Sequence, residues 1–185
     1  MTPELAKTPW FDTYQLSRGN EDTVEYLRRK GITPYILDVG PCSPLTKMIH
    51  RELRVAPIAN TEGDLDVMPF MDGMTFDYII YSHTIEHQFN PLHTLLELRK
   101  AMHDKTRMFI ILPRRGKLLW DRGHYHEIDH YRMKLLLQRA GYEIISYELH
   151  KGWRPWWFYL TGIRPLMRLF LEYNAYYEVK KRKEQ

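Results

Sequence analysis

The stretch from His124 to His130, HYHEIDH, carries His126, Glu127 and His130 in an H-E-x-x-H arrangement. On a continuous helix two histidines four apart project from one face, where they can share a zinc ion while the glutamate activates its water. That chemistry needs a helix through all five residues and a third protein ligand. The neighbouring sequence offers neither. Gly123 stands just before the motif, and Asp129 has the character of an N-cap for the amphipathic run that follows, so His126 is expected in a loop. Met133 and Leu136, where an extended metal-hydrolase pattern would place glycine and histidine, belong to a core stripe. No metal ion is expected, and His124, His126 and Glu127 are read as loop residues facing a substrate cleft.

A second polar loop, SHTIEH from Ser82 to His87, is histidine-rich, with His83 and His87. It follows the apolar run FDYIIYS, which reads as a buried strand. An earlier run, YILDVG, is halted at Gly40. Behind it, SPLTKMIHREL reads as a helix with Ser43 as N-cap, Pro44 at the first position and Leu45, Met48, Ile49 and Leu53 on the inner stripe. RVAPIAN is a short strand whose Pro57 suits an edge or irregular position. Asn90 caps a helix with Pro91 behind it and Leu92, Leu95 and Leu96 inward, and MFIILP is the next strand. Asp129 opens a helix with Met133, Leu136, Leu137 and Ala140 inward before Gly141, and YEIISYELH is an alternating strand. Upstream, NEDTVEYLRRKG from Asn20 to Gly31 is expected as a helix with acids first and bases last. Alternating strands and helices predict an α/β fold with a doubly wound, mostly parallel sheet covered on both faces.

Composition narrows the function class. A chain of 185 residues, 44% hydrophobic and 27% charged, fits one compact domain. The single cysteine, Cys42, excludes an internal disulfide and a cysteine-rich zinc module, and no basic-then-apolar segment opens the sequence. No uncharged apolar run reaches the roughly 18 residues that span a bilayer. A cytoplasmic location is expected. Net charge is only +4, too small to favour nucleic acid as the partner.

In a doubly wound sheet, ligands lie beyond the carboxyl ends of the strands, and those ends carry the polar residues here. At these positions the sequence resembles the class I S-adenosylmethionine-dependent methyltransferases, in particular their small type 11-like domains. ILDVGPCSP resembles that family's acid-x-Gly-x-Gly-x-Gly loop. GDLDVMPFMDGMTFDYII is similar to its Gly-Asp, Pro-Phe and Phe-Asp segment, and SHTIEH with NPLHTLLELRKAM to the loop and helix after its fourth strand. MFIILP and HYHEIDHYRMKLLLQRAGYEII match the later core, so the likeness covers about Tyr35 to Leu149.

The resemblance implies a Rossmann-like sheet, S-adenosyl-L-methionine as cofactor, and a site. Gly40 would let the loop approach the methionine part of the cofactor, with Asp38 fixing that loop or meeting the ammonium group through water. Asp64 would accept a hydrogen bond from the adenine amino group and the Leu65 N–H would meet the ring. Glu62 would be the ribose-binding acid, and Ser82 and His83 would line the cofactor wall. His87 would point toward the acceptor, and His87, His124 and His126 are the candidate general bases, an imidazole titrating at about 6.5 when unperturbed. Two alternatives stay open: Asp38 as a plain turn cap, and His87 as a hydrogen-bonded structural histidine. Cys42 and Pro44 stand where the family has its second and third glycines, and the stretch from Gly40 to Asp64 is short by about one helix-and-strand unit, since such a crossover takes at least about 10 to 12 residues. The sheet is therefore expected to be shortened between its first and fourth strands.

Residues 1–150 are read as the methyltransferase-like domain, with 1–19 as an N-terminal extension, and 151–185 as an aromatic and basic helical extension. Trp153, Trp156, Trp157, Phe158 and Tyr159, then Leu166, Met167, Leu169, Phe170 and Leu171 with Arg164 and Arg168, resemble an interfacial segment. Residues 153–179 are thus expected to meet a membrane surface, to form a homodimer or to pack on the domain, and Lys180 to Lys183 to be a solvated end. The acceptor is expected to be a small molecule or lipid-linked. A methyltransferase-like binding module without turnover is the competing expectation. A nicotinamide dehydrogenase would read G-x-G-x-x-G where this chain has GPCSPL.

Overall fold

The computed structural model describes residues 10–67, 73–114, 119, 123–152 and 154–183. Pro69 and Phe70 of the Pro-Phe pair, and Trp153, lie outside them. Helix α1 (Trp10–Lys30) leads into β1 (Ile36–Asp38), α2 (Pro44–Leu53), β2 (Ile58–Asn60), β3 (Phe76–Ser82) and α3 (Pro91–Lys100). Strand β4 (Met102–Arg114), α4 (His130–Arg139), β5 (Tyr142–Lys151), α5 (Ile163–Leu171) and β6 (Tyr173–Lys181) complete the order.

All six strands form one sheet, ordered β2-β1-β3-β4-β6-β5. The pairs β1–β2, β1–β3 and β3–β4 are parallel, while β6 runs antiparallel to both β4 and β5. This is a Rossmann-like, mostly parallel α/β sheet. Among the described residues no helix or strand intervenes between β2 and β3, which is the expected shortening. The chain steps outward from β1 to β2 and then crosses to the other side of β1, so the strand order reverses between β1 and β3.

Period-two alternation splits each central strand between two apolar layers. Ile36, Ile80, Phe109 and Ile111 meet Val24 and Leu27 of α1 and Leu45 and Ile49 of α2. Their neighbours Leu37, Ile79, Met108 and Ile110 meet Leu95 and Leu98 of α3 and Met133 and Leu137 of α4. Burying a side chain of this size is worth about 1.5–3 kcal/mol, so both helix pairs are held chiefly by these stripes.

Several local expectations need adjustment. Leu96 is 44% exposed, and Leu98, at 0%, takes the inward position one turn after Leu95. Helix α1 continues through Gly19, whose carbonyl accepts from the Thr23 hydroxyl at 3.0 Å, the i to i−4 geometry of an uninterrupted helix. β2 is an edge strand, as Pro57 suggests.

The larger correction concerns residues 151–185. The described part of that stretch is not a helical tail: α5 is followed by β6, which lies inside the sheet between β4 and β5. Ala175, Tyr177 and Val179 enter one apolar layer and Tyr176 the other. Glu178, 3% exposed, interrupts that second layer and is matched by Lys30 Nζ at 3.0 Å, Arg107 at 2.9 Å and the Ser146 hydroxyl at 3.1 Å. Two cations and a hydroxyl offset the cost of burying its charge. Lys180 and Lys181 are accordingly strand residues, Lys180 pairing with Glu143 at 3.4 Å.

Candidate functional site

The turn after β1 is built by the hydroxyls and amide around it. Ser43 caps α2 in a capping box: its hydroxyl accepts from Thr46 N–H and its own N–H donates to Thr46 Oγ1 at 2.9 Å. Thr46 Oγ1 in turn donates to the Asp38 carboxylate at 2.5 Å. Gly40, at φ 117°, donates its N–H to Thr61 Oγ1 at 2.7 Å, and Asn60 Nδ2 donates to the carbonyls of Asp38 and Gly40 at 3.3 and 3.2 Å. That φ is one few side-chain-bearing residues adopt, so glycine is required here. An added Cβ would meet nothing nearer than Thr84 Oγ1 at 3.9 Å, which leaves open space at the turn.

Asp38 therefore fixes the loop rather than facing outward. It is 4% exposed, and burial pushes its carboxyl up to about 6, against the lowering effect of the Thr46 and Asn60 hydrogen bonds. Thr46 and Asn60 at Asp38, and Thr61 at Gly40, none of them singled out from the sequence, are the partners of this turn. The signal available for them was only their position, three residues into a capped helix and at the end of a strand.

Beside this turn lies the loop after β3. Ser82 is half-buried with its hydroxyl oxygen buried and without a hydrogen-bond partner. His83 is exposed, in a left-handed conformation at φ 51°, and its N–H donates to Ile111 O at 2.8 Å. Thr84 Oγ1 donates to Ser82 O at 3.0 Å and reaches Val39 O at 3.5 Å, which ties this loop to the β1 turn. Glu62 and Asp64 are exposed on the loop after β2, Asp64 accepting from the Asp66 N–H at 2.9 Å. Leu65 packs on the core and its carbonyl accepts from the Thr94 hydroxyl at 2.8 Å. Asp66 accepts from the N–H groups of Phe89 and Asn90 at 2.9 and 2.7 Å, and so joins the two loops.

The histidines separate into groups. His87 Nδ1 bonds Gly123 O at 2.6 Å and its ring meets that of His124 edge-on, centroids 4.8 Å apart. Glu86, 2% exposed, accepts on its carbonyl from the N–H groups of Tyr125 and His126 at 2.8 and 3.2 Å, clamping the two loops together. Burial would raise the Glu86 carboxyl, but the hydrogen bond and charge of His83, with the charge of His87, hold it below the usual value. His124 is buried, its Nδ1 3.6 Å from Glu127 Oε1.

His126 and His130 do not converge. The His126 ring reaches Phe89 O at 3.3 Å, while His130, the first residue of α4, bonds the Tyr177 hydroxyl at 3.2 Å and stacks among Tyr147 and Tyr177. With Asp129 as N-cap, accepting from Arg132 N–H, the helix starts too late to carry the H-E-x-x-H geometry.

The solved structures similar to this chain show which fold it has. They include the 1,6-didemethyltoxoflavin-N1-methyltransferase of Burkholderia thailandensis, solved with S-adenosylhomocysteine bound, at TM-score 0.60 and 12% identity over 89% of this chain and 78% of that one. A candidate methyltransferase of Bacillus halodurans superposes at TM-score 0.62 and 10% identity, over 86% of this chain and 99% of that one. The fold is that of the class I methyltransferases. Within this methyltransferase fold, β6 is the antiparallel strand and the Gly40 turn opens at the point where the strand order reverses, the place where such sheets bind ligands. The fold also serves other chemistry: the [4+2]-cyclase SpnF matches at TM-score 0.54 and 14% identity, over 82% of this chain and 76% of that one. No protein-family model and no curated protein matches the chain.

Proposed function

We propose that this chain is an S-adenosyl-L-methionine-dependent methyltransferase. The observation that carries the reading is the side-by-side placement of the Gly40 turn and the Ser82–His87 loop, tied through Thr84, at the switch point of a methyltransferase fold. The residues fit the cofactor: the turn has room beside Gly40, and the orphaned Ser82 hydroxyl offers a polar contact.

In this reading Gly40, Ser82 and His83 line the cofactor, Asp38 holds the turn, and Glu62, Asp64 and the Leu65 N–H receive the ribose and adenine. The cofactor's sulfonium supplies an activated methyl group. The chain contributes alignment of the acceptor for in-line displacement, which accounts for most of the rate in such a transfer. His87 and His124, whose rings meet edge-on, are the bases this reading favours, whereas the His126 ring turns away to the Phe89 carbonyl.

A lipid-linked or apolar small acceptor is favoured by the C-terminal segment. Trp156, Leu160, Ile163 and Phe170 are 74%, 73%, 80% and 65% exposed along a short 3-10 turn and α5. The buried Glu172 braces them by accepting from Arg154 at 2.8 Å on both oxygens and from Arg168 at 3.0 Å. A rigid, exposed aromatic and apolar face with Arg164 on it suits peripheral contact with lipid. Among the described residues no helix is long and apolar enough to cross a membrane.

One observation favours a second reading. The Gly40 N–H is already satisfied by Thr61, as a turn closed on itself would be in a binding module without turnover. Isothermal titration of the full chain with S-adenosylhomocysteine, repeated on Asp64→Ala, separates the two. Saturable binding weakened by the substitution is the expected result. No binding by folded protein would overturn the enzymatic reading in favour of the module.

A further inference from the structure

The loop after β3 and the loop before α4 enclose a set of metal-ligating groups that the H-E-x-x-H motif does not describe. Glu86, His87 and His124 each offer a ligand atom, and these atoms lie within 4.8 Å of one another. We infer that Glu86, His87 and His124 form a site for one divalent transition-metal ion of the zinc class, on the acceptor side of the cleft.

Three independent features support this. The first is Glu86 Oε2, which is buried and has no hydrogen-bond partner, whereas Oε1 lies 3.5 Å from His83 Nδ1. A carboxylate at 2% exposure with one oxygen unsatisfied is costly unless a cation completes it. The second is the tautomer of His87. Its Nδ1 is held by the Gly123 carbonyl at 2.6 Å, so the proton sits there and Nε2 keeps the lone pair. A backbone carbonyl on the outer nitrogen is the usual support of a metal-binding imidazole. The third is rigidity: the Glu86 carbonyl receives two backbone N–H groups from Tyr125 and His126, so ligands distant in sequence are fixed relative to one another.

Two imidazoles and one carboxylate suit zinc and its neighbours better than magnesium, which prefers oxygen donors. Glu127, beside His124 at 3.6 Å, is placed to orient that ring. Ligand atoms around zinc sit about 2.0–2.2 Å from the metal and so about 3.5 Å from one another, which means that the three atoms would draw together by about 1 Å on binding. With an ion bound, His87 and His124 would be ligands and no longer bases, and the ion would instead act as a Lewis acid that makes an acceptor's proton easier to lose. That use rests on the methyl-transfer reading; the binding of the ion does not.

The test is titration of chelator-treated full chain with Co2+, followed by its visible d–d absorption, and then displacement by Zn2+. One equivalent per chain is expected, with affinity reduced about tenfold or more in His87→Ala and in His124→Ala. His87 is exposed, so its substitution leaves the fold intact, which circular dichroism checks. His103→Ala, at a histidine paired with Asp77 elsewhere, should retain full binding. Absence of a stoichiometric band, or a band unchanged by both cluster substitutions, would overturn the site. Because the readout involves no cofactor, loss of metal binding and loss of S-adenosylhomocysteine binding are separately observed.

Discussion

The turn after β1 and the loop after β3 are built on opposite principles. Around Gly40 the polar groups are spent on one another: Asp38 on Thr46, Gly40 on Thr61, Asn60 on two carbonyls. Around Glu86 the backbone is just as firmly clamped, yet a carboxylate oxygen lacks a partner and an exposed imidazole keeps a lone pair. The first region is internally satisfied, and the second leaves polar atoms without partners. Satisfied networks contribute rigidity, whereas an unsatisfied buried group calls for an explanation.

This contrast predicts that substitutions on the Gly40 side act on stability and those on the Glu86 side act on function. The largest loss of stability is expected from Thr46→Val, which strips Asp38 of its hydroxyl donor and the Ser43 N–H of its acceptor. Unfolding free energy in urea should fall by about 3 kcal/mol, the cost of leaving a buried charged group short of a partner. A loss under about 0.5 kcal/mol would mean that the turn is not held together in this way.

Asp38→Asn sharpens the same side through pH. The folded-state pKa of about 6 lies above the ordinary 3.8, so the folded state binds the proton more tightly. Its contribution is fully present below about 4 and is lost as pH rises through about 6, amounting to about 2–3 kcal/mol. Wild-type stability should therefore decline relative to the Asn variant across that window, measured by denaturant midpoints at each pH. Parallel curves for the two proteins would show that Asp38 titrates normally.

The smallest stability effect belongs to the other side. His87→Ala should change the unfolding free energy by no more than about 0.5 kcal/mol, because the ring is exposed. Once an acceptor is found, turnover should drop about 100-fold or more if His87 handles its proton. A variant that unfolds readily but turns over normally when folded would reverse the comparison and make His87 a structural histidine.

Much of the scaffold was legible from spacing. Ser43 and Pro44, Asn90 and Pro91, and Asp129 each begin a helix where capping chemistry predicts, and FDYIIYS is a strand over its full length. Of the candidate site, the sequence singled out the Gly40 turn and the histidine loops, because a glycine after a strand and polar residues at strand ends are local signals. It missed Asn60, Thr61 and Thr46, whose side chains matter only for partners up to about 20 positions away, and it placed the inward leucine of α3 at 96 instead of 98. Glu86 carried no signal at all, since an acid in a polar loop reads as solvated.

What the sequence alone determined was the alternation of strands and helices and the chemistry available at the strand ends. Both follow from backbone propensity and side-chain periodicity, which act over a few residues. Tertiary structure decided that β6 enters between β4 and β5 with Glu178 buried on Lys30 and Arg107, and that Glu86, His87 and His124 meet while His126 and His130 part. Those outcomes depend on closing loops of tens of residues and on burying charge only where a partner arrives, which no local pattern encodes.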